Sequence, residues 1–115
     1  MCGIFGQINQ PGFSKNDFMT ILQSGRHRGP DYTGYAATSD MQFGFNRLSI
    51  LDISETGHQP MYSPQNKFII VFNGEIYNYE DLRKALPALH YKGTSDTEVI
   101  AHALDVWGVD KTIEL

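Results

Sequence analysis

The sequence predicts an α+β domain, antiparallel strands layered against helices, on three observations. Short apolar segments recur with polar turns between them. An uninterrupted apolar run, Phe68-Ile69-Ile70-Val71-Phe72, ends at Asn73-Gly74. Ser14/Asp17 and Ser95/Glu98, each three residues apart, mark helix starts.

Taken in order, Gly3 to Ile8 carries Ile4, Phe5 and Ile8 and stops at the turn cluster Asn9-Gln10-Pro11-Gly12, so it reads as a terminal strand. Ser14 is placed to cap a helix over 15–24. Phe18, Ile21 and Leu22 supply its inner face, and Gly25 ends it. Residues 33–38 and 41–47, rich in Tyr, Ala and Phe, flank Ser39-Asp40 and read as an antiparallel hairpin. Ser54 to Pro64, with Gly57 and Pro60 inside it, reads as a surface loop.

The run Phe68 to Phe72 shows no alternation, which predicts a strand buried on both faces. Asn78 is expected to cap a helix over 79–86, with Leu82, Ala85 and Leu86 inward and Pro87 as the stop. Ser95-Asp96-Thr97-Glu98 reads as a capping box for a helix that buries Ile100, Ala103, Leu104 and Trp107 and closes at Gly108. Asp110 to Leu115 reads as the opening of another helix. Only four or five strands are visible, so the domain is expected to be incomplete at its C-terminus.

Length and composition bound the function. At 115 residues the chain fits one domain, and 41% hydrophobic with 19% charged residues is an ordinary globular balance. No stretch reaches the roughly 18 apolar residues of a membrane span. A net charge of −4 offers no basic field for nucleic acid, which leaves small molecules as the expected partners. With one cysteine no internal disulfide can form, and the N-terminus has no secretory pattern, so a cytoplasmic location is expected. His58, His90 and His102 have no zinc-site spacing, so no metal is expected.

Removal of Met1 would put a thiol and a free α-amine on Cys2. An α-amine titrates near about 7.7–8.0, so part of it is neutral at physiological pH and can take the thiol proton. The plainer reading of a lone cysteine is a small buried hydrophobe. Asn73-Gly74 offers a side-chain amide beside an approachable backbone N–H, the donors an oxyanion needs, and it also fits an ordinary turn. Arg47, at a strand end, can clamp a carboxylate or cover a sheet edge. Asp96 either complements the helix dipole or faces an ammonium. Arg26-His27-Arg28-Gly29-Pro30-Asp31 reads as a weak phosphate patch in an acidic protein or, better, as a rigid turn whose arginine and aspartate brace one another.

Together MCGIFG, RHRGPD at 26–31, NRLSILD at 46–52, GHQPM at 57–61, NGEIYNYEDLR at 73–83 and GTSDTEV at 93–99 resemble, in order and spacing, the glutaminase domain of the asparagine synthetase family. The resemblance covers essentially the whole chain. It implies a class II glutamine amidotransferase with the N-terminal nucleophile hydrolase fold, a four-layer αββα sandwich of antiparallel sheets. It further implies that Cys2 attacks the side-chain amide of L-glutamine, with Asn73 and Gly74 forming the oxyanion hole. Arg47 takes the α-carboxylate, Asp96 and Glu75 hold the α-ammonium, and backbone groups of Leu48 and Ile50 line the pocket. Arg28 and Asp31 then support the pocket near the thiol.

Many members of that family have a histidine two residues before the arginine matched by Arg47, where this chain has Phe45. The resemblance implies no cofactor in this chain, since ATP and magnesium belong to a separate synthetase domain. The chain is therefore expected to be the N-terminal portion of such an enzyme, or a truncated product, pairing with a synthetase domain, a partner chain or a second copy. A glutamine-binding module without catalysis, or an amidotransferase for another acceptor, are the competing expectations.

Overall fold

The computed structural model describes residues 1–49, 54–88 and 90–115. They divide into two compact units, one of residues 1–49, 58–60 and 71–73, the other of residues 54–57, 61–70, 74–88 and 90–115.

The first unit is built on a three-stranded antiparallel sheet of order β1-β3-β2. Its strands are β1 (Gly3–Ile8), β2 (Tyr32–Ala37) and β3 (Met41–Arg47). β1 runs against β3 from Gly3↔Asn46 to Ile8↔Met41, and β2 against β3 from Tyr32↔Arg47 to Ala37↔Gln42. The expected hairpin is therefore present, closed by the Thr38 N–H donating to the Met41 carbonyl at 2.9 Å.

Helix α1 (Lys15–Ser24) has the bounds its sequence predicts. The Asp17 N–H donates to Ser14 Oγ, and the Ser14 N–H and hydroxyl both donate to the Asp17 carboxylate, which holds that carboxyl below its ordinary pKa. Phe18 and Leu22 are buried where α1 crosses the sheet, directly above Gly44. A Cβ on Gly44 would sit 2.8 Å from Leu22 Cδ1, so the close approach of helix and strand depends on glycine there. Asn46, fully buried, ties the layers by donating to the Leu22 carbonyl at 2.7 Å and accepting from the Thr33 hydroxyl at 2.9 Å. Phe45 is a core residue, 1% exposed.

The second unit pairs β4 (Met61–Tyr62) with β5 (Ile69–Ile70) and packs α2 (Tyr79–Ala85) on α3 (Asp96–Glu114). Leu82, Leu86, Val99 and Ala103 form its core, with Ile76, Tyr79, Tyr91, Ile100 and Trp107 against them.

Several expectations are corrected here. The run Phe68 to Phe72 is a strand over Ile69–Ile70 alone and is half-buried, because among the described residues it pairs only with the two-residue β4. Ser54 to Pro64 is not all loop: it holds a 3₁₀ turn, Glu55–Gly57, and the whole of β4, which follows the cis Gln59-Pro60 bond. Asn78 stands at the N-cap of α2 with a near-helical backbone that turns its side chain away from the helix. It donates instead to the Leu115 carbonyl at 2.8 Å. Ala85 is exposed rather than inward.

Only half of the second capping box forms. Ser95 Oγ accepts the Glu98 N–H at 3.2 Å, but the Glu98 carboxylate accepts from the N–H groups of Lys92 (2.6 Å) and Gly93 (2.8 Å) instead. Gly108 interrupts α3 at φ 77°, ψ 178°, and the helical stretch expected from Asp110 onward resumes beyond it.

Candidate functional site

Cys2 immediately precedes β1, and because Gly3 lies opposite Asn46, the strand pairing brings it to the Arg47–Leu48 end of β3. There it is half-buried. The Leu48 N–H donates to Cys2 Sγ at 3.2 Å, and the thiol faces the Leu48 carbonyl at 3.5 Å. One backbone residue thus brackets the sulfur, which a thiol packed as a plain hydrophobe does not require.

Arg47 ends β3, buried at 6% exposure and opposite Tyr32. Its carbonyl accepts the Asp31 N–H at 3.0 Å, while Asp31 Oδ2 accepts the Ser49 N–H at 2.8 Å. Gly29 lies so close to this strand end that a Cβ on it would run into the Asn46 carbonyl. The Gly29–Asp31 turn is therefore knit to the backbone on both sides of Arg47. Arg28 is exposed, in the 3₁₀ turn Arg26–Arg28, and Asp31 braces Ser49 in place of Arg28, which corrects the expected mutual brace.

A second segment joins the same end of the sheet, on β2. The His58 ring stacks on Tyr32 with centroids 3.5 Å apart and planes 7° from parallel. Next to it, Gln59 is buried at 6% exposure, and its carbonyl lies against Gly34 of β2 with no room for a Cβ. Gln59 Oε1 accepts the Phe72 N–H at 2.6 Å. Phe72 is the residue before Asn73, so the tether fixes the chain where the exposed Asn73 emerges.

In the second unit Gly74 and Glu75 are exposed. Asp96 is buried at 5% exposure as the first residue of α3, with Ser95 as the cap. Asp96 Oδ2 accepts the Ile76 N–H at 2.9 Å and Oδ1 the Thr97 N–H at 2.7 Å. Its carboxylate thus holds the backbone two residues beyond Gly74, a role the dipole argument did not contain. Leu48 is half-buried, and Ile50 lies outside the described residues.

Sequence reasoning gave no role to Gln59 or Tyr32 and read Glu98 only as a capping residue. Gln59 stood within the GHQPM motif with nothing to say what its amide would bond. Among the described residues no three His, Cys, Asp or Glu come together as a metal site, and no helix is long and apolar enough to cross a membrane. Also in the second unit, His102 is buried on α3 against the Tyr91 ring, 4.5 Å between centroids. Burial foremost lowers its pKa, against the opposing pull of Glu98 and Asp105; burial likewise raises that of Tyr91.

Comparison with known proteins finds relatives of one kind. The glutamine-hydrolysing asparagine synthetase of Asparagus officinalis is 38% identical over 113 residues, covering 96% of this chain and 19% of that protein. Its counterpart in Sandersonia aurantiaca is 39% identical over 111 residues, covering 94% and 21%, and that numbered 1 in Arabidopsis thaliana is 36% identical over 113 residues, covering 96% and 19%. The chain spans about a fifth of the length of these curated relatives. A family described as the glutamine amidotransferase domain matches residues 1–115, and the chain belongs to it.

Proposed function

We propose that the chain is a glutamine amidotransferase domain that hydrolyses the side-chain amide of L-glutamine to glutamate and ammonia through a Cys2 thioester. The observation that carries this reading is the Cys2–Leu48 pair at the end of β3, one residue from the buried Arg47. A nucleophile beside a fixed cation suits a substrate that carries both a reactive amide and a carboxylate.

With Met1 removed, the Cys2 α-amine takes the thiol proton as Sγ attacks the amide carbon. The carbonyl oxygen gains the negative charge, which Asn73 Nδ2 and the Gly74 N–H stabilise. Collapse of this adduct breaks the C–N bond, and ammonia leaves with the proton held by the amine. Water then attacks the thioester, losing its proton to the same amine, and the thiol is regenerated as glutamate departs. Arg47 binds the α-carboxylate and Asp96 with Glu75 the α-ammonium, while the Leu48 and Ile50 backbone lines the pocket. Arg28 and Asp31 keep the 26–31 turn against it.

The antiparallel sheets flanked by helices support placing these layers within a four-layer αββα sandwich of the N-terminal nucleophile type. The relatives' names support a destination for the ammonia, ATP-dependent asparagine synthesis on a separate synthetase domain. ATP and magnesium act there, and this chain's residues form no step with them.

The test is intact-mass analysis before and after exposure to 6-diazo-5-oxo-L-norleucine, a glutamine analogue that alkylates such nucleophiles. Loss of Met1 with a single adduct on Cys2 is the expected result. A Met1-free chain that takes no adduct overturns the reading.

A further inference from the structure

We propose that Gln59 is a positioning residue for the glutaminase reaction, acting through Asn73. The inference rests on the oxyanion role given to Asn73 above. It concerns a residue that contacts neither the thiol nor the substrate in that scheme.

Three contacts within one compact unit carry it. Gln59 Oε1 accepts the Phe72 N–H at 2.6 Å, just under the usual range for such bonds. Gln59 itself is buried, and its own backbone is pressed onto Gly34 of β2 so closely that no side chain fits between. Its neighbour His58 is stacked on Tyr32, which lies opposite Arg47 in the sheet. The 58–60 segment is thus fastened to β2, whose Tyr32 lies at the same end of the sheet as Arg47 and Cys2, and the Gln59 amide passes that placement on to Phe72–Asn73.

Among the described residues this part of the chain has no strand ladder of its own: β5 stops at Ile70, two residues before the tether. Phe72 is half-buried and Asn73 exposed, so packing alone does little to aim the Asn73 amide. An oxyanion donor works only when it is fixed where the charge develops, and a shift of about 1 Å can cost about a hundredfold in rate. The Phe72 hydrogen bond supplies that fixation in a segment that otherwise lacks it.

The experiment measures ammonia release by the full chain and by Gln59→Leu, Gln59→Glu, Asn73→Ala and the Gln59→Leu/Asn73→Ala pair. Leucine keeps the bulk and removes the acceptor; glutamate keeps an acceptor at the same reach. Gln59→Leu is expected to lower kcat roughly ten- to hundredfold with KM within about twofold, because oxyanion stabilisation acts in the transition state. Gln59→Glu should recover most of the loss. In the Asn73→Ala background Gln59→Leu should have little further effect, since both act through one donor.

Full multiplication of the two effects, or a rise in KM alone, overturns the proposal. Hydrogen exchange of the unsubstituted chain provides a reading free of variants: the Phe72 amide should be protected and those of Asn73 and Gly74 should not, and a rapidly exchanging Phe72 amide also overturns it. A Met1-free chain with no turnover and no diazo-oxo-norleucine adduct removes the hydrolysis reading, and the Gln59 role with it. An active chain indifferent to Gln59→Leu removes the Gln59 role alone.

Discussion

Cys2 and Leu48 are 46 residues apart in sequence, yet the Leu48 N–H donates to Cys2 Sγ at 3.2 Å. The sulfur owes its position to the register of β1 on β3, for sliding that pairing by one residue would turn the β1 side chains to the other face. The Cys2 thiol is therefore located by the sheet rather than by a flexible terminus.

Replacing Cys2 with alanine should abolish ammonia release by about 10³-fold or more while leaving glutamine binding within a few-fold. Calorimetric titration with L-glutamine beside an ammonia assay separates the two. Residual turnover near that of the unsubstituted chain would show that the thiol is not the nucleophile.

Processing of Met1 should act as an on-switch. A preparation in which mass spectrometry finds Met1 retained has its α-amine one residue too early and should release no ammonia, while the processed fraction turns over. Equal rates in the two fractions would sink the amine-as-base mechanism.

Gly34→Ala should destabilise the first unit by roughly 3 kcal/mol, because the new methyl meets the Gln59 carbonyl and one backbone has to move. Thermal melting gives the stability change. If the Gln59 segment is what yields, ammonia release should fall as well. A melting temperature unchanged from that of the parent chain would contradict the packing described.

Acid should weaken the second unit through His102, whose pKa burial pushes below the ordinary 6.5. Between its lowered folded value and 6.5 the unfolded chain binds more protons than the folded one, so stability rises with pH there. The contribution is complete above 6.5 and is lost as pH falls through the folded value. The urea midpoint should drop from pH 7.5 to pH 5, and His102→Gln should flatten that slope. A His102→Gln chain with the parent's slope would rule this group out.

What the sequence disclosed follows the range of the forces involved. Helix α1 was legible to the residue because Ser14 and Asp17 satisfy one another within a single turn. The β2–β3 hairpin was legible for the same reason. Phe68 to Phe72 misled, since an apolar run declares burial but not how many strands will pair with it. Asn78 misled because its partner, the Leu115 carbonyl, is 37 residues away. The candidate residues Cys2, Arg47, Asn73 and Asp96 stood out by chemistry, whereas Gln59 bonding to Phe72 and Asp96 bonding to Ile76 were invisible. Those bonds exist only once distant segments have met.

The break in α3 also sets where the chain tolerates alteration. Asp96, Glu98, Val99 and Ala103 share one continuous helical phase, so an extra residue among them would rotate everything on one side of the insertion by about 100° relative to the other. That would pull the two carboxylates away from the amides of Ile76, Lys92 and Gly93. Beyond Gly108, whose φ of 77° has already reset the phase, an inserted residue leaves those carboxylates in place and shifts the last turn and a half, with the Leu115 carbonyl that accepts from Asn78. The joint is accordingly the place to graft a reporter or a linker, and the twelve residues before it are where a single-residue frame change would dismantle the acidic anchor.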